Sequence, residues 1–159
     1  MLALGLDPGT ATTGYGLVRQ LDDGSLRSVE FGVISTPKDM DAAKRLSLLY
    51  HQLNEILAAF RPETSAVEKL FFQKNISTAI AVGQARGVLL LALSEAGLAV
   101  AEYTPNEVKQ AVTGYGSADK RQVQEMVRVQ LALDGLPKPD DAADALAIAI
   151  CHLSTRRYE

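Results

Sequence analysis

Cysteine is nearly absent from this chain. Cys151 stands alone among 159 residues, which excludes an intramolecular disulfide and any cysteine-rich zinc site. That usage fits a reducing compartment, so a cytoplasmic location is expected. No basic stretch leads into a long apolar run at the N-terminus, so no signal peptide is expected. The longest purely apolar run, Val88 to Leu93, is far shorter than the ~20 residues of a membrane span, and no membrane partner is expected. The chain also lacks a surplus of positive charge. Its net charge of −3 rules out a polycation, so any nucleic-acid contact must come from local patches. There is no internal repeat, low-complexity segment or Pro/Gly-rich linker. The 47% hydrophobic and 22% charged content then suits one globular domain spanning 1–159.

What the chain does have starts at its first strand. Leu2 to Leu6 is an apolar run that ends in one carboxylate, Asp7, before Pro8-Gly9 breaks it. A second apolar stretch, residues 14–21, follows at once, which predicts a hairpin. Asp22-Asp23-Gly24-Ser25 is a turn signal, and residues 27–34 form a third strand. Apolar residues at helical spacing from Leu46 to Phe60 predict a helix over 42–60, stopped by Pro62. His51 lies off that stripe and reads as a solvated position. Ser65-Ala66-Val67-Glu68 is a short fourth strand, again ending in an acid. Phe71 and Phe72 follow between Lys69 and Lys74. Aromatics beside lysines suit base stacking next to phosphate contacts; one of the pair is expected in the core and Phe71 on the surface.

Residues 76–96 predict a helix that is apolar nearly all round, and such a helix is buried on all sides. Either it is central in a monomer, or a second subunit covers one face. Gly83 and Gly87, four apart, would permit close backbone approach on that face. Residues 98–103 predict a fifth strand. Thr104, Pro105 and Glu107 then make a capping-box helix start, and this short helix carries Lys109. The stretch Gly114 to Arg121 combines glycines, Ser117, Lys120 and Arg121 at the start of another helix. Those residues match what a phosphate contact needs, although an ordinary helix start explains them equally well. A last helix starts near Asp140, and Asp141 and Asp144 share a face of it. Its alanines would let it pack closely on a sheet. Asp144 lies in otherwise apolar surroundings, so a solvated role does not explain it, whereas first-turn acids such as Asp141 are common in any helix.

Four acids therefore stand out: Asp7, Glu68, Asp141 and Asp144. If the first and fourth strands are neighbours and the last helix crosses them, all four converge. Unpaired, they would raise one another's pKa. Two Mg²⁺ or Mn²⁺ ions per site would relieve the repulsion and suit an in-line phosphoryl displacement.

The expected topology is three antiparallel strands, helix, strand, helix, strand and further helices, which matches a ribonuclease H-like α/β fold. Its mixed five-stranded sheet holds three antiparallel strands, then two parallel ones, flanked by helices. Within that fold the sequence resembles the RuvC family of Holliday-junction resolvases. The stretches that carry the resemblance are LGLDPGTATTGYG (4–16), AVEKLFFQKN (66–75), GQARGV (83–88), VKQAVTGYGSADKRQV (108–123) and DAADALAIAI (141–150).

The resemblance implies a homodimeric, Mg²⁺- or Mn²⁺-dependent endonuclease. Such an enzyme nicks two opposing strands of a four-way junction symmetrically, in recombination and repair, and acts with a branch-migration helicase. It implies Asp7, Glu68, Asp141 and Asp144 as metal ligands and places Lys120 on the DNA path, where it is expected to act also as a catalytic cation. Phe71 falls beside the scissile site and Lys109 on the DNA path, where Phe72, Lys74, Arg86, Ser117 and Arg121 are further candidates. The dimer contact falls on the helix with Gly83 and Gly87. Two rivals are weaker. An actin-like phosphotransferase would account for Asp7-Pro8-Gly9-Thr10 but needs a second such domain. A non-catalytic junction-binding scaffold has no need of four acids.

Overall fold

The computed structural model describes residues 1–69 and 75–156. Its strands are β1 (Leu2–Pro8), β2 (Thr12–Gln20), β3 (Leu26–Ser35), β4 (Thr64–Glu68) and β5 (Val100–Tyr103). Its helices are α1 (Ala42–Phe60), α2 (Ile76–Glu95), α3 (Pro105–Thr113), α4 (Lys120–Gln130) and α5 (Asp140–Thr155). The strands form one mixed sheet in the order β3-β2-β1-β4-β5. β1 to β3 are antiparallel, while β4 pairs parallel to β1 and β5 parallel to β4. This is the expected ribonuclease H-like arrangement, with β1 at its centre.

Strand alternation sorts the core into two layers. Leu2, Leu4 and Leu6 of β1 join Leu17, Val67 and the buried faces of α1 and α2 on one side. Ala3, Val18 and Ala66 face α3, α4 and α5 on the other. Asp7 and Glu68 continue the second set, so the pleat aims both acids at the α5 side. Leu146, Ile148, Ile150 and Leu153 of α5 are fully buried. Each such side chain contributes about 1.5–3 kcal/mol relative to exposure.

Glycines set how near α5 comes. A Cβ at Gly5 would lie 2.2 Å from the Ala145 carbonyl oxygen, one at Gly14 1.9 Å from that of Asp141, and one at Gly16 2.8 Å from the Leu146 nitrogen. Gly5 pairs with Gly16, and Asp7 with Gly14, across the β1–β2 ladder. These bare backbones and the alanines of α5 bring the helix almost onto the sheet.

Two expectations change. α2 is not buried all round within one chain: it buries Ala79, Ala85, Leu89, Ala92 and Leu93 but exposes Ile76, Ile80 and Leu91. The reading of α2 as a central monomer helix therefore fails. Among the described residues, α2 alone is long and apolar enough to cross a membrane by length and composition; here its buried side chains pack on the sheet and α1. The Thr104 hydroxyl caps α3 by accepting from the Glu107 N–H at 3.1 Å. The reciprocal capping box lies instead at Asp119 and Gln122, at the start of α4.

One buried polar group ties α5 to the parallel strands. His152 sits between the Thr64 and Tyr103 hydroxyls, each 2.7 Å from a ring nitrogen. Burial, then the nearby Arg156 charge, lowers the imidazole to about 4. A base with a depressed folded pKa stabilises the fold above its unfolded value near 6.5, and that contribution is lost as pH falls toward 4. Urea unfolding of His152→Leu and of the unsubstituted protein between pH 7 and 4 checks this: the substituted protein loses less stability to acid, and parallel pH profiles would contradict it. Gly5→Ala tests the helix–sheet approach. Its methyl has no room, so the unfolding free energy falls by about 1–3 kcal/mol or more, as overpacking does; an unchanged urea midpoint would contradict it.

Candidate active site

Asp7 is the penultimate residue of β1, where the pleat turns it toward α5. Asp141 and Asp144 project from the first turns of α5. One carboxylate oxygen from each of Asp7, Asp141 and Asp144 lies within 4.8 Å of the others. Glu68 closes the neighbouring parallel strand, where Leu6 pairs with Val67. It stands beside that trio, next to Asp144. The structure thus brings the four acids to one end of the sheet.

The electrostatics are strained in the expected direction. Burial, then the charges of Asp144, Glu68 and Asp141, pushes Asp7 up to about 8. Burial and then Asp144 raise Glu68, against an opposing pull from Lys109. Asp144 is raised by burial and Asp141, with Lys120 and a hydrogen bond to Asp7 opposing. Of these carboxyls Asp7 is pushed furthest toward holding its proton. A half-buried group of carboxylates short of counter-charge fits hard divalent cations, which take oxygen ligands.

Two lysines border the cluster. Lys120 Nζ is 3.2 Å from Asp140 Oδ2 and 3.9 Å from Asp144 Oδ2. Burial disfavours its charge, but Asp144 and Asp140 outweigh that and raise it. Lys109 and Lys120 line a cleft together with Glu68 and Asp144. The capping box at Asp119 fixes the start of α4 and so the position of Lys120.

The other candidates divide. Ser117 is exposed beside this cleft. Arg121 is exposed and lies 3.9 Å from Glu125 on its own helix. Arg86 is paired with Glu102 of β5, its side chain only 14% exposed, so its charge is committed within the chain. Among the described residues, an added Cβ at Gly87 would meet nothing within 4 Å, and Gly83 is half-buried. Phe71, Phe72 and Lys74 lie outside the described residues. His51 is exposed, as expected.

Thr12 is a residue that motif reading overlooked. Its hydroxyl donates to Asp141 Oδ2 at 2.7 Å. Period-two alternation back from Gly16 and Gly14 places it on the α5 face, and that was the available signal.

The model of the family "Crossover junction endodeoxyribonuclease RuvC" matches residues 3–152. A curated relative of that name from Chloroflexus aurantiacus is 59% identical over 98% of this chain and 94% of its own. One from Rubrobacter xylanophilus is 57% identical over 97% of this chain and 86% of its own. The solved Thermus thermophilus RuvC structure is similar with a TM-score of 0.91, at 39% identity over 99% of this chain and 97% of that one. A second T. thermophilus structure, in complex with Holliday junction substrate, has a TM-score of 0.89 at 37% identity, over 99% and 96% of the two chains. The yeast mitochondrial Holliday junction resolvase Ydc2, at 18% identity, TM-score 0.67 and coverage of 95% and 78%, shares the fold.

The proton held at Asp7 has a measurable consequence. A carboxyl whose folded pKa is raised favours the fold below its unfolded value near 4, and that contribution disappears as pH rises through about 8. Asp7→Asn removes this penalty. In EDTA at pH 8.5 its thermal midpoint is expected above that of the unsubstituted protein by about 2–4 °C, the shift that ~1 kcal/mol produces in a chain of this size. The gap should close at pH 4. A lower midpoint for Asp7→Asn at pH 8.5 would contradict the crowding of charge.

Proposed function

Because this chain belongs to the RuvC family of crossover junction endodeoxyribonucleases, we propose that it resolves Holliday junctions by metal-dependent hydrolysis at Asp7, Glu68, Asp141 and Asp144. The observation that carries this reading is the convergence of those acids from two strand ends and one helix. The relative solved with a Holliday junction supports the substrate class.

The acids would hold two Mg²⁺ or Mn²⁺ ions, Asp7 contributing to both, with Glu68 or Asp141 completing one set and Asp144 the other. When bound, such ions polarise the scissile phosphate and acidify an attacking water. Bound ions would favour the ionised form of Asp7, which burial and its acidic neighbours otherwise disfavour. Lys120, held beside Asp144, offsets the negative charge that builds on the phosphate as the bond to the 3′-oxygen breaks. Lys109, across the same cleft, supports that role and steers the backbone. The products are a 5′-phosphate and a ligatable 3′-hydroxyl. Ser117 and Arg121 extend the DNA path from the start of α4, and the Phe71–Lys74 stretch, with Phe71 as the stacking aromatic, completes it by family resemblance.

Two opposing nicks call for two active sites in one assembly. The exposed Ile76, Ile80 and Leu91 and the open backbone at Gly87 support α2 as the homodimer contact. A branch-migration helicase partner follows from the family resemblance alone.

The test is cleavage of a four-way junction with a mobile core against linear duplex of the same sequence, in Mg²⁺ and in Mn²⁺. Paired symmetric nicks on the junction are expected, with little cutting of duplex. Asp7→Asn should bind the junction and lose at least about 10³-fold in nicking rate. Lys120→Met should lose about 10–10³-fold, as removal of a charge-stabilising donor does. Junction binding without nicks in either metal, or equal cutting of duplex, would overturn the reading.

A further inference from the structure

We propose that Thr12 is a positioning residue for the metal site: its hydroxyl holds the Asp141 carboxylate in the inward rotamer that completes the acidic cluster. The inference rests on the metal reading above and goes beyond it, to a residue that contacts neither metal nor DNA in that scheme.

Three observations support it. First, the Thr12 hydroxyl donates to Asp141 Oδ2 at 2.7 Å across the β2–α5 gap. A carboxylate can only accept, so this bond anchors one oxygen and with it the orientation of the whole group. Second, Asp141 has reason to stray. It lies in the first turn of α5, where acids ordinarily face solvent, and Asp7 and Asp144 repel it. Among the described residues, the Thr12 hydroxyl is the donor that the structure shows on the Asp141 side chain, and it opposes that repulsion.

Third, Thr12 is itself held. Across the turn from Asp7, Arg45 of α1 donates from Nη2 to the Thr10 carbonyl oxygen at 3.0 Å and from Nε to the Thr36 hydroxyl at 3.1 Å. The Thr36 N–H donates to the Ala11 carbonyl oxygen at 3.1 Å. Two residues beyond Thr12, Gly14 lets β2 touch the Asp141 backbone. Hydroxyl and carboxylate are thus set by backbones already in contact, so the bond needs little ordering. Groups that orient a metal's ligands without touching the metal are typically worth 10–100-fold in metal affinity or activity.

The test compares Thr12→Val, which swaps the hydroxyl for a methyl, with Thr12→Ser, which keeps it. The readouts are Mn²⁺ binding to the DNA-free protein, by calorimetry or the free-ion resonance signal, and the Mg²⁺ dependence of junction nicking. Thr12→Val is expected to weaken Mn²⁺ binding by about 10-fold and raise the Mg²⁺ needed for half-maximal nicking by a similar factor, with junction binding in EDTA unchanged. Thr12→Ser should stay within about two- to three-fold of the unsubstituted protein. In an Asp141→Asn background, Thr12→Val should have no further effect. Mn²⁺ binding by Thr12→Val equal to that of the unsubstituted protein would overturn the proposal. So would an equal loss in Thr12→Ser, or the same loss with Asn at 141, which also covers a Thr12→Val protein that is merely less stable. An unsubstituted protein that binds no Mn²⁺ would instead overturn the metal reading itself.

Discussion

Everything at the acidic end of the sheet depends on how closely α5 approaches β1 and β2. Packed layers of secondary structure are ordinarily held apart by side chains from both, about 10 Å in the case of two sheets. Here Gly5, Gly14 and Gly16 remove the sheet's share and a run of alanines shrinks the helix's share. With Cβ positions that would fall at or inside 2.8 Å of helix backbone, nothing separates the two but peptide groups. The acids at either side of that contact, Asp7 on the strand and Asp141 and Asp144 on the helix, are forced together. They do not come together by their own attraction, since they repel.

The molecule is built to withstand that repulsion elsewhere. The apolar length of α5 fixes the helix from Ala142 to Leu153. His152, bonded to Thr64 and Tyr103, fastens the far end of the helix to β4 and β5. β4 is also the strand that carries Glu68, so one buried histidine relates the helix acids to the strand acid. Near the site, Lys120, Lys109 and the Thr12 hydroxyl offset part of the negative charge without neutralising it. Burial and the neighbouring acids hold the Asp7 carboxyl high, and a divalent cation is the species best suited to relieve that.

Much of this was legible in the sequence because its signals were local. The helix 42–60 followed from the spacing of Leu46, Leu49, Leu53 and Leu57, and the strand-end acids followed from the apolar runs that end in Asp7 and Glu68. The close approach of α5 was half legible: the alanines pointed to it, but Gly5, Gly14 and Gly16 gave no sign of it until the register placed Gly5 opposite Gly16. The Thr12–Asp141 bond spans 129 positions and the Arg86–Glu102 pair joins a helix to a strand edge. Neither has a periodic signature. α2 left two readings open for a physical reason. Apolarity all round implies cover all round, but it does not say that the cover belongs to the same chain, and Ile76, Ile80 and Leu91 are bare in the single chain.

The central claim is that these carboxylates are crowded, short of counter-charge and assembled for a divalent cation. The most direct measurement is the number of protons released when Mn²⁺ binds the DNA-free protein at pH 7, from calorimetry in buffers of different ionisation enthalpy. With Asp7 near 8, close to one proton should leave per site as metal binds, and none from Asp7→Asn. Metal binding without proton release would mean that the acids are not crowded as described. No metal binding at all would mean that the cluster is not a metal site.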